Sequence, residues 1–423
     1  MIRLSFMLGS VDVTPLVVLA AQVAAGGVLF YVGRLLLPPL RTWVLPPARA
    51  TGRVINRPLR SPWLFLAVAI ALPLVELLTG GYLLSITYGV ELFLMLAIGL
   101  NVVVGFTGLL DLGYVAFYAV GAYTYALLAS PQLYDITHRT LYFLVPNSGA
   151  QGFHISMWLI LPLAGIMAAV FGVLVGFPTL RLRGDYLAIV TLGFGEITRI
   201  FANNLDEPVN ITNGPRGVYD VDPIWLGGYS FGTSHQVLGF TIPAFLNYYY
   251  LLLLVILLTI FLVGRLAASR VGRAWAAIRE DELAAEAGGI NTRNLKLLAY
   301  ASGGFFGGMA GAIFAAGQHF IDPGSFGFFF SILVLCMVVV GGMGSIPGVI
   351  LGSVVTGGLY FLTGQFGSYR VLIFGVLLVV VIILRPAGLL PSGRRKRELE
   401  RVELEEGAIP PLAASAPETP GVP

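Results

Sequence analysis

Eleven apolar stretches divide this chain, near residues 11–33, 63–80, 83–104, 108–129, 156–177, 184–202, 246–266, 296–317, 327–345, 348–366 and 369–386. Each approaches the roughly 20 residues that a helix needs to cross the hydrocarbon core of a bilayer. In lipid every backbone N–H and C=O must find its partner inside the protein, so a chain built of such stretches has one broad solution. The spacing predicts an all-α, polytopic transmembrane helix bundle of about ten or eleven spans. Composition agrees: 57% of the 423 residues are hydrophobic and only 11% are charged, where a soluble domain carries about a quarter. The regions 83–129 and 327–366 are rich in glycine, which leaves room in each for a broken or re-entrant helix. The stretch 11–33 is long for the apolar region of a cleaved signal and reads as a retained span.

The net charge of +3 says little by itself; the placement of the basic residues says more. Arg34, Arg41, Arg49, Arg53, Arg57 and Arg60 follow the first span, Arg181 and Arg183 share a short loop, and Arg265 to Lys296 make a third basic interval. Arg385 and Arg394 to Arg397 close the last span. The loops 130–155 and 203–245 hold Asp135, Asp206, Glu207, Asp220 and Asp222 against only Arg139 and Arg216. The excess of arginine on one set of loops makes that set cytoplasmic and puts the N-terminus outside and the C-terminus inside. Residues 1–62 then form an N-terminal span followed by a proline- and arginine-containing linker that lies along anionic lipid. Residues 391–423, basic, then acidic, then rich in proline and alanine, read as a disordered cytoplasmic tail.

Within the spans, Asn101, Thr107 and Asp111 are polar groups at membrane depth, where each needs a partner or water. Gly105, Gly108 and Gly113 permit close helix approach or a helix break. Two readings stay open: a pathway lining, or a packing seam with satisfied polar groups. Pro178 suits a helix end, and Gly184-Asp185 restarts the chain with an acid in the first turn. Glu196 and Arg199, three apart, are placed to pair. Gly303, Gly307 and Gly311 repeat at four-residue spacing, as do Gly304, Gly308 and Ala312, a strong signal for tight helix contact.

Arg273 to Lys296 is the most highly charged interval of the apolar part of the chain. Ala274, Ala277, Ile278 and Ala284 fall near one helical stripe, with Arg279, Glu280, Glu282 and Glu286 mostly around the rest. Gly288-Gly289 predicts the helix end. A short charged helix with a small-residue face between two spans suits docking to a soluble partner, and a solvated connector is the alternative.

Several chemistries are excluded. The only lysines are Lys296 and Lys396, followed by Leu297 and Arg397, so no phosphate-binding loop of the G-x-x-x-x-G-K-[S/T] kind exists. Histidines 138, 154, 235 and 319 are scattered and Cys336 is alone, which leaves no metal-binding pattern and no intrachain disulfide. Gly228-Tyr-Ser-Phe-Gly232 formally matches a nucleophile elbow but lacks the strand-to-helix setting and reads as coincidence. The chain reads as a transport component and not as an enzyme.

A set of blocks, in order, carries a family likeness: Gly99-Leu-Asn-Val-Val-Val-Gly105, Gly108-Leu-Leu-Asp-Leu-Gly113, Leu180-Arg-Leu-Arg-Gly-Asp-Tyr-Leu-Ala-Ile-Val-Thr-Leu-Gly-Phe-Gly-Glu196, Gly272-Arg-Ala-Trp-Ala-Ala-Ile-Arg-Glu-Asp-Glu282, Val340-Gly-Gly-Met-Gly-Ser345 and Arg385-Pro-Ala-Gly-Leu-Leu390. Over roughly residues 85–390 the chain resembles the LivM-type permeases of bacterial branched-chain amino acid ABC importers. The resemblance implies an importer permease domain over 63–390 in the inner membrane, with a cytoplasmic coupling loop at 267–295. It implies as partners a second, LivH-like permease, two cytoplasmic ATPase subunits of LivG/LivF type, and a periplasmic amino-acid-binding protein. No cofactor is implied in this chain, since ATP and Mg belong to the ATPase partners, and no nucleic acid is involved. Arg279, Glu280, Glu282, Ala284, Ala285, Gly288 and Gly289 become the positions that couple to the ATPases. Leu283 stands where the family pattern has an acid, with Glu282 before it. The substrate pathway would run along Asn101, Thr107, Asp111, Tyr114 and Tyr118, and along Asp185, Thr191 and Glu196. A related permease for urea, short amides or other amino acids shares these expectations. A stand-alone secondary transporter would instead show inverted repeats, and none is evident.

Overall fold

The computed structural model describes residues 7–8, 11–12, 82–145, 151–182, 184–226, 229–237, 240–367, 369–384 and 388–390. The candidate span at 63–80, nearly all of that at 11–33, the linker between them and the tail from 391 lie outside the described residues.

The described chain is a helix bundle, as its apolar runs require. In order come α1 (Tyr82–Leu100), prolonged by a π-helical stretch (Asn101–Phe106), then α2 (Val115–Leu128), α3 (Met157–Thr179), α4 (Asp185–Asn204) and α5 (Ala244–Ala268). Two short helices follow, α6 (Arg270–Glu280) and α7 (Glu282–Ala287), then α8 (Thr292–Gln318), α9 (Phe328–Gly341), α10 (Ile346–Leu362) and α11 (Tyr369–Leu384). Among the described residues, four helices are long and apolar enough to cross a bilayer: α1 with its extension (Ser85–Phe106), α3, α5 and α8. α2, α9, α10 and part of α11 are shorter apolar helices. α2 and α9 have 14 residues each, or about 21 Å, short of the ~30 Å hydrocarbon core. Irregular backbone adjoins each of them, at 108–114 and 342–345.

α8 is the centre of the bundle, and its two glycine repeats explain why. A Cβ at Gly304 would lie 2.7 Å from the Ala168 carbonyl oxygen, and one at Gly308 2.5 Å from that of Ala164, so this face meets the backbone of α3. Gly303, Gly307 and Gly311 face the other way. Gly303 meets Val103, Gly307 lies against Tyr114 and Phe117, and Gly311 touches the Tyr118 carbonyl of α2. In lipid, helix association depends on such close packing and not on the hydrophobic effect. Buried tyrosines add bonds to backbone carbonyls that the helices leave accessible: Tyr114 Oη donates to Gly303 O at 2.8 Å and Tyr248 Oη to Ala316 O at 2.8 Å.

The helices alternate in direction. At one end lie the loops that carry every described strand beyond residue 12, in three small sheets. Ala129–Ser130 pairs with Phe153–Ile155, which also pairs with Leu141–Phe143, and two hairpins lie within 225–242. Val218 bridges to Ile321, and Asp222 N donates to Ala129 O at 2.7 Å, which joins these loops into one layer. His154 Nδ1 lies 2.6 Å from Asp222 Oδ2, with Tyr142 stacked on the imidazole. Burial pushes the Asp222 carboxyl up, against the bond from His154, which acts to lower it. The opposite end carries α6, α7 and the turn between α9 and α10.

Candidate functional site

Two places bring the sequence-predicted residues together. The first is the charged interval. Its single predicted helix is two helices at an angle, because Asp281 adopts an extended conformation (φ −155°, ψ 115°). Its Oδ1 accepts from Leu283 N at 2.8 Å and Ala284 N at 3.1 Å, which caps α7. Asp281 thus competes for the backbone as short polar side chains do. Ser269 caps α6 in the same way through Val271 N at 3.2 Å and Gly272 N at 3.4 Å. The interval 267–295 expected to couple includes the last residues of α5, which runs through Ala268, and the first turn of α8, which starts at Thr292.

The segment is anchored. Trp275 is fully buried and its Nε1 donates to Leu295 O at 2.8 Å, tying α6 to the first turn of α8. Lys296 Nζ meets Glu282 Oε1 at 2.5 Å, Thr292 Oγ1 donates to Glu286 Oε1 at 2.6 Å, and Arg293 stacks over Phe177 at 4.7 Å. Of the expected coupling residues, Glu280, Ala284, Gly288 and Gly289 are exposed on the outer face. Ala285 is buried, Glu282 is half-buried on Lys296, and Arg279 turns into the bundle. Leu283, 62% exposed, stands on the outer face between them. Its departure from the acidic pattern was the available signal for that exposed apolar knob.

Arg279 reaches a slot lined by backbone. Its stem passes over Gly108, where a Cβ would sit 3.1 Å from Arg279 Cγ, and its Nη1 donates to Gly105 O at the end of the π-helical stretch. A Cβ at Gly344 would lie 2.8 Å from Arg279 Nη1. Gly344 has φ +80°, a conformation that glycine adopts without strain. Asn101 closes the slot from within: fully buried, it accepts from Gly344 N at 2.9 Å and so joins α1 to the α9–α10 turn.

The second place is α4 and its neighbours. Thr107 Oγ1 donates to Val103 O at 2.5 Å, Asp111 Oδ1 accepts from Gly113 N at 2.9 Å, and Tyr118 packs among Phe314 and Phe326. With Asn101 and Tyr114, these residues are buried in helix contacts. Thr191 accepts from Leu112 N at 3.1 Å and itself donates to Ala188 O at 3.0 Å. Asp185 and Glu196 differ. Asp185 is exposed in the first turn of α4, and Glu196 Oε2 accepts from Arg199 Nε at 2.8 Å with both side chains about a third exposed.

α4 has 20 residues, enough to cross a bilayer, yet it is absent from the helices apolar enough to do so. One face, with Leu187, Ala188, Thr191 and Gly195, is buried in the bundle. The other presents Tyr186, Ile189, Ile197, Ile200 and Phe201 beside Glu196 and Arg199. A Cβ at Gly193 meets nothing within 4 Å, so this face has open space in front of it. By contrast α3 exposes Leu159, Ile166, Val170 and Leu174, and α5 exposes Leu254 and Leu258, as lipid-facing helices do.

The family description "branched-chain amino acid transport system / permease component" fits residues 82–383. The chain is 43% identical over 321 residues to the high-affinity branched-chain amino acid transport system permease protein LivM of Escherichia coli (strain K12), covering 73% of this chain and 70% of that one. It is 41% identical over 323 residues to LivM of Salmonella typhimurium, with the same shares covered. It is also 26% identical over 315 residues to the permease protein LivH of Salmonella typhimurium, covering 74% of this chain and 93% of LivH. No solved structure matches.

Proposed function

The chain belongs to the branched-chain amino acid transport system permease family, and from that premise we propose that it is one of two permease subunits of an ATP-driven importer in a bacterial inner membrane. The observation that carries the proposal is α4, a helix of spanning length with an ion pair on its unburied face. Paired charges are costly against lipid tails and belong against protein or a water-filled path. The occupant of that side is a second, LivH-like permease, and the substrate passes between the two. Similarity of this chain to relatives named LivM and to relatives named LivH supports such a pair, because two related folds can face each other about a pseudo-twofold axis.

The α4 face also fits the substrate class. A branched-chain amino acid carries an ammonium, a carboxylate and an aliphatic side chain. Glu196 and Arg199 offer charges complementary to the first two, and Ile189, Ile197 and Ile200 offer aliphatic surface to the third. The relatives' names favour this substrate over urea or short amides. The end that carries α6 and α7 faces the cytoplasm, where Glu280, Leu283, Ala284, Gly288 and Gly289 meet two ATPase subunits. These bind the ATP and Mg. A periplasmic binding protein delivers substrate to the strand-bearing end.

The test is affinity purification of the chain from native membranes in mild detergent. Recovery of two ATPases and a second permease, with ATP-dependent leucine uptake after reconstitution, supports the assignment. Recovery of the chain alone, still transporting when reconstituted alone, overturns it in favour of a secondary transporter.

A further inference from the structure

We propose that the connection 107–113 is the transmission element between the coupling segment and α4, with Arg279 its input and Thr191 its output. The proposal rests on the importer reading above and names the residues through which that importer is driven.

The contacts form one continuous series. On the α6 side, the Arg279 side chain lies along Gly108 and bonds the Gly105 carbonyl. The guanidinium is planar and one of its N–H groups is held by a backbone carbonyl, which orients the side chain on the connection. On the α4 side, Leu112 N donates to Thr191 Oγ1 at 3.1 Å, and a Cβ at Gly195 would lie 3.2 Å from Gly113 Cα. Between the two ends run only the residues from Gly108 to Leu112, which are not helical. Asp111 holds that short stretch in shape by accepting from Gly113 N at 2.9 Å. A displacement of α6 therefore reaches the polar helix through five residues of irregular backbone, without passing through the tightly packed seam of α8. A second tie, Asn101 to Gly344 N, makes the α9–α10 turn move with the same end of α1.

Arg279 and Thr191 are positioning residues on this account, and the quantity they control is transport per ATP hydrolysed. The reconstituted complex with its binding protein is assayed for leucine uptake and ATP hydrolysis as wild type, Arg279→Met, Thr191→Val and the double variant. Each single variant is expected to lower uptake per ATP about tenfold, the range of an ordinary coupling energy. The double variant is expected to fall no further than the worse single, since both break one series. A ratio within twofold of wild type for either assembled single variant, or effects that multiply in the double, overturns the proposal. Thr191 lies away from the coupling face, so if Arg279→Met does not assemble, Thr191→Val decides by the same ratio. Failure of the wild-type chain to assemble with ATPases at all would count against the importer reading instead.

Discussion

Substituting Gly308 by alanine adds one methyl group where the structure has no room for it. The new Cβ would lie 2.5 Å from both the Ala164 carbonyl oxygen and the Ala168 methyl. Neither neighbour is the end of a flexible side chain, so α3 and α8 must separate by about 1 Å to restore ordinary carbon contacts. A gap of that size forfeits a quarter to a half of each contact's attraction along the seam. Overpacking of this kind costs about 1–3 kcal/mol, against which the better helix propensity of alanine returns up to roughly 1 kcal/mol. Gly193 and Gly375 serve as controls, since a Cβ at either meets nothing within 4 Å. In detergent, the melting temperature of the Gly308→Ala chain should drop, while Gly193→Ala and Gly375→Ala should hold or rise. Gly304→Ala, with its Cβ 2.7 Å from the Ala168 carbonyl, should also destabilise, and the 304/308 double variant should lose less than the two losses added, because the first opens the seam for the second. Equal melting of Gly308→Ala and Gly375→Ala would refute the claim that backbone contact in this seam holds the bundle together.

Three further outcomes follow from the two sites. Asp281→Ala removes the cap of α7 and should cost about 1 kcal/mol locally, read as faster hydrogen exchange over 282–290 with little change in α8; unchanged exchange would show that the cap contributes nothing. Trp275→Phe keeps a buried ring but removes the indole bond to the Leu295 carbonyl, which α8 still satisfies through its own helical bond, so the cost is about 0.5–1.5 kcal/mol and the junction of α6 with α8 should become more sensitive to protease; equal resistance would remove Trp275 as the anchor. Glu196→Gln and Arg199→Gln should each raise the KM for leucine uptake about tenfold, as loss of a charged hydrogen bond does, and the double variant should be worse than either. A double variant with near wild-type KM would mean that the two charges only neutralise each other.

The bundle was legible because its determinants are local. Runs of apolar residues mark the helices, and nine of the eleven expected spans coincide with α1 to α5 and α8 to α11. The small-residue repeats announced the α8 seam because spacing of four places residues on one face of a helix. The break at Asp281 was hidden, since Arg273 to Ala287 fits one helical stripe and only the capping chemistry of Asp281 marks the division. The destination of Arg279 was hidden for a different reason. A periodicity argument sends charged residues to solvent, whereas here the guanidinium donates to the Gly105 carbonyl and lies close against Gly344, far away in the chain and without side chains of their own. Asn101, Thr107, Asp111 and Tyr114 were recognisable as polar groups in need of partners, but their partners are backbone atoms that no pattern of residue types identifies.

Glycine serves two mechanical purposes in this chain, and the difference bears on how it moves. In α8 the glycines face helical backbone on α2 and α3, so displacement along that seam must break many close contacts at once. Such an interface behaves as a rigid block. Around Arg279 the glycines belong to non-helical turns and to the π-helical end of α1, where Gly108 and Gly344 carry positive φ and the Arg279 guanidinium and the Asn101 amide supply the bonds. α4 stands between these regimes. It touches the block through Gly113 and Gly195 and leaves its polar face uncovered within the chain. A helix with one open, ionic face and a short link to α6 through residues 108–112 is the element on which the proposed transmission acts.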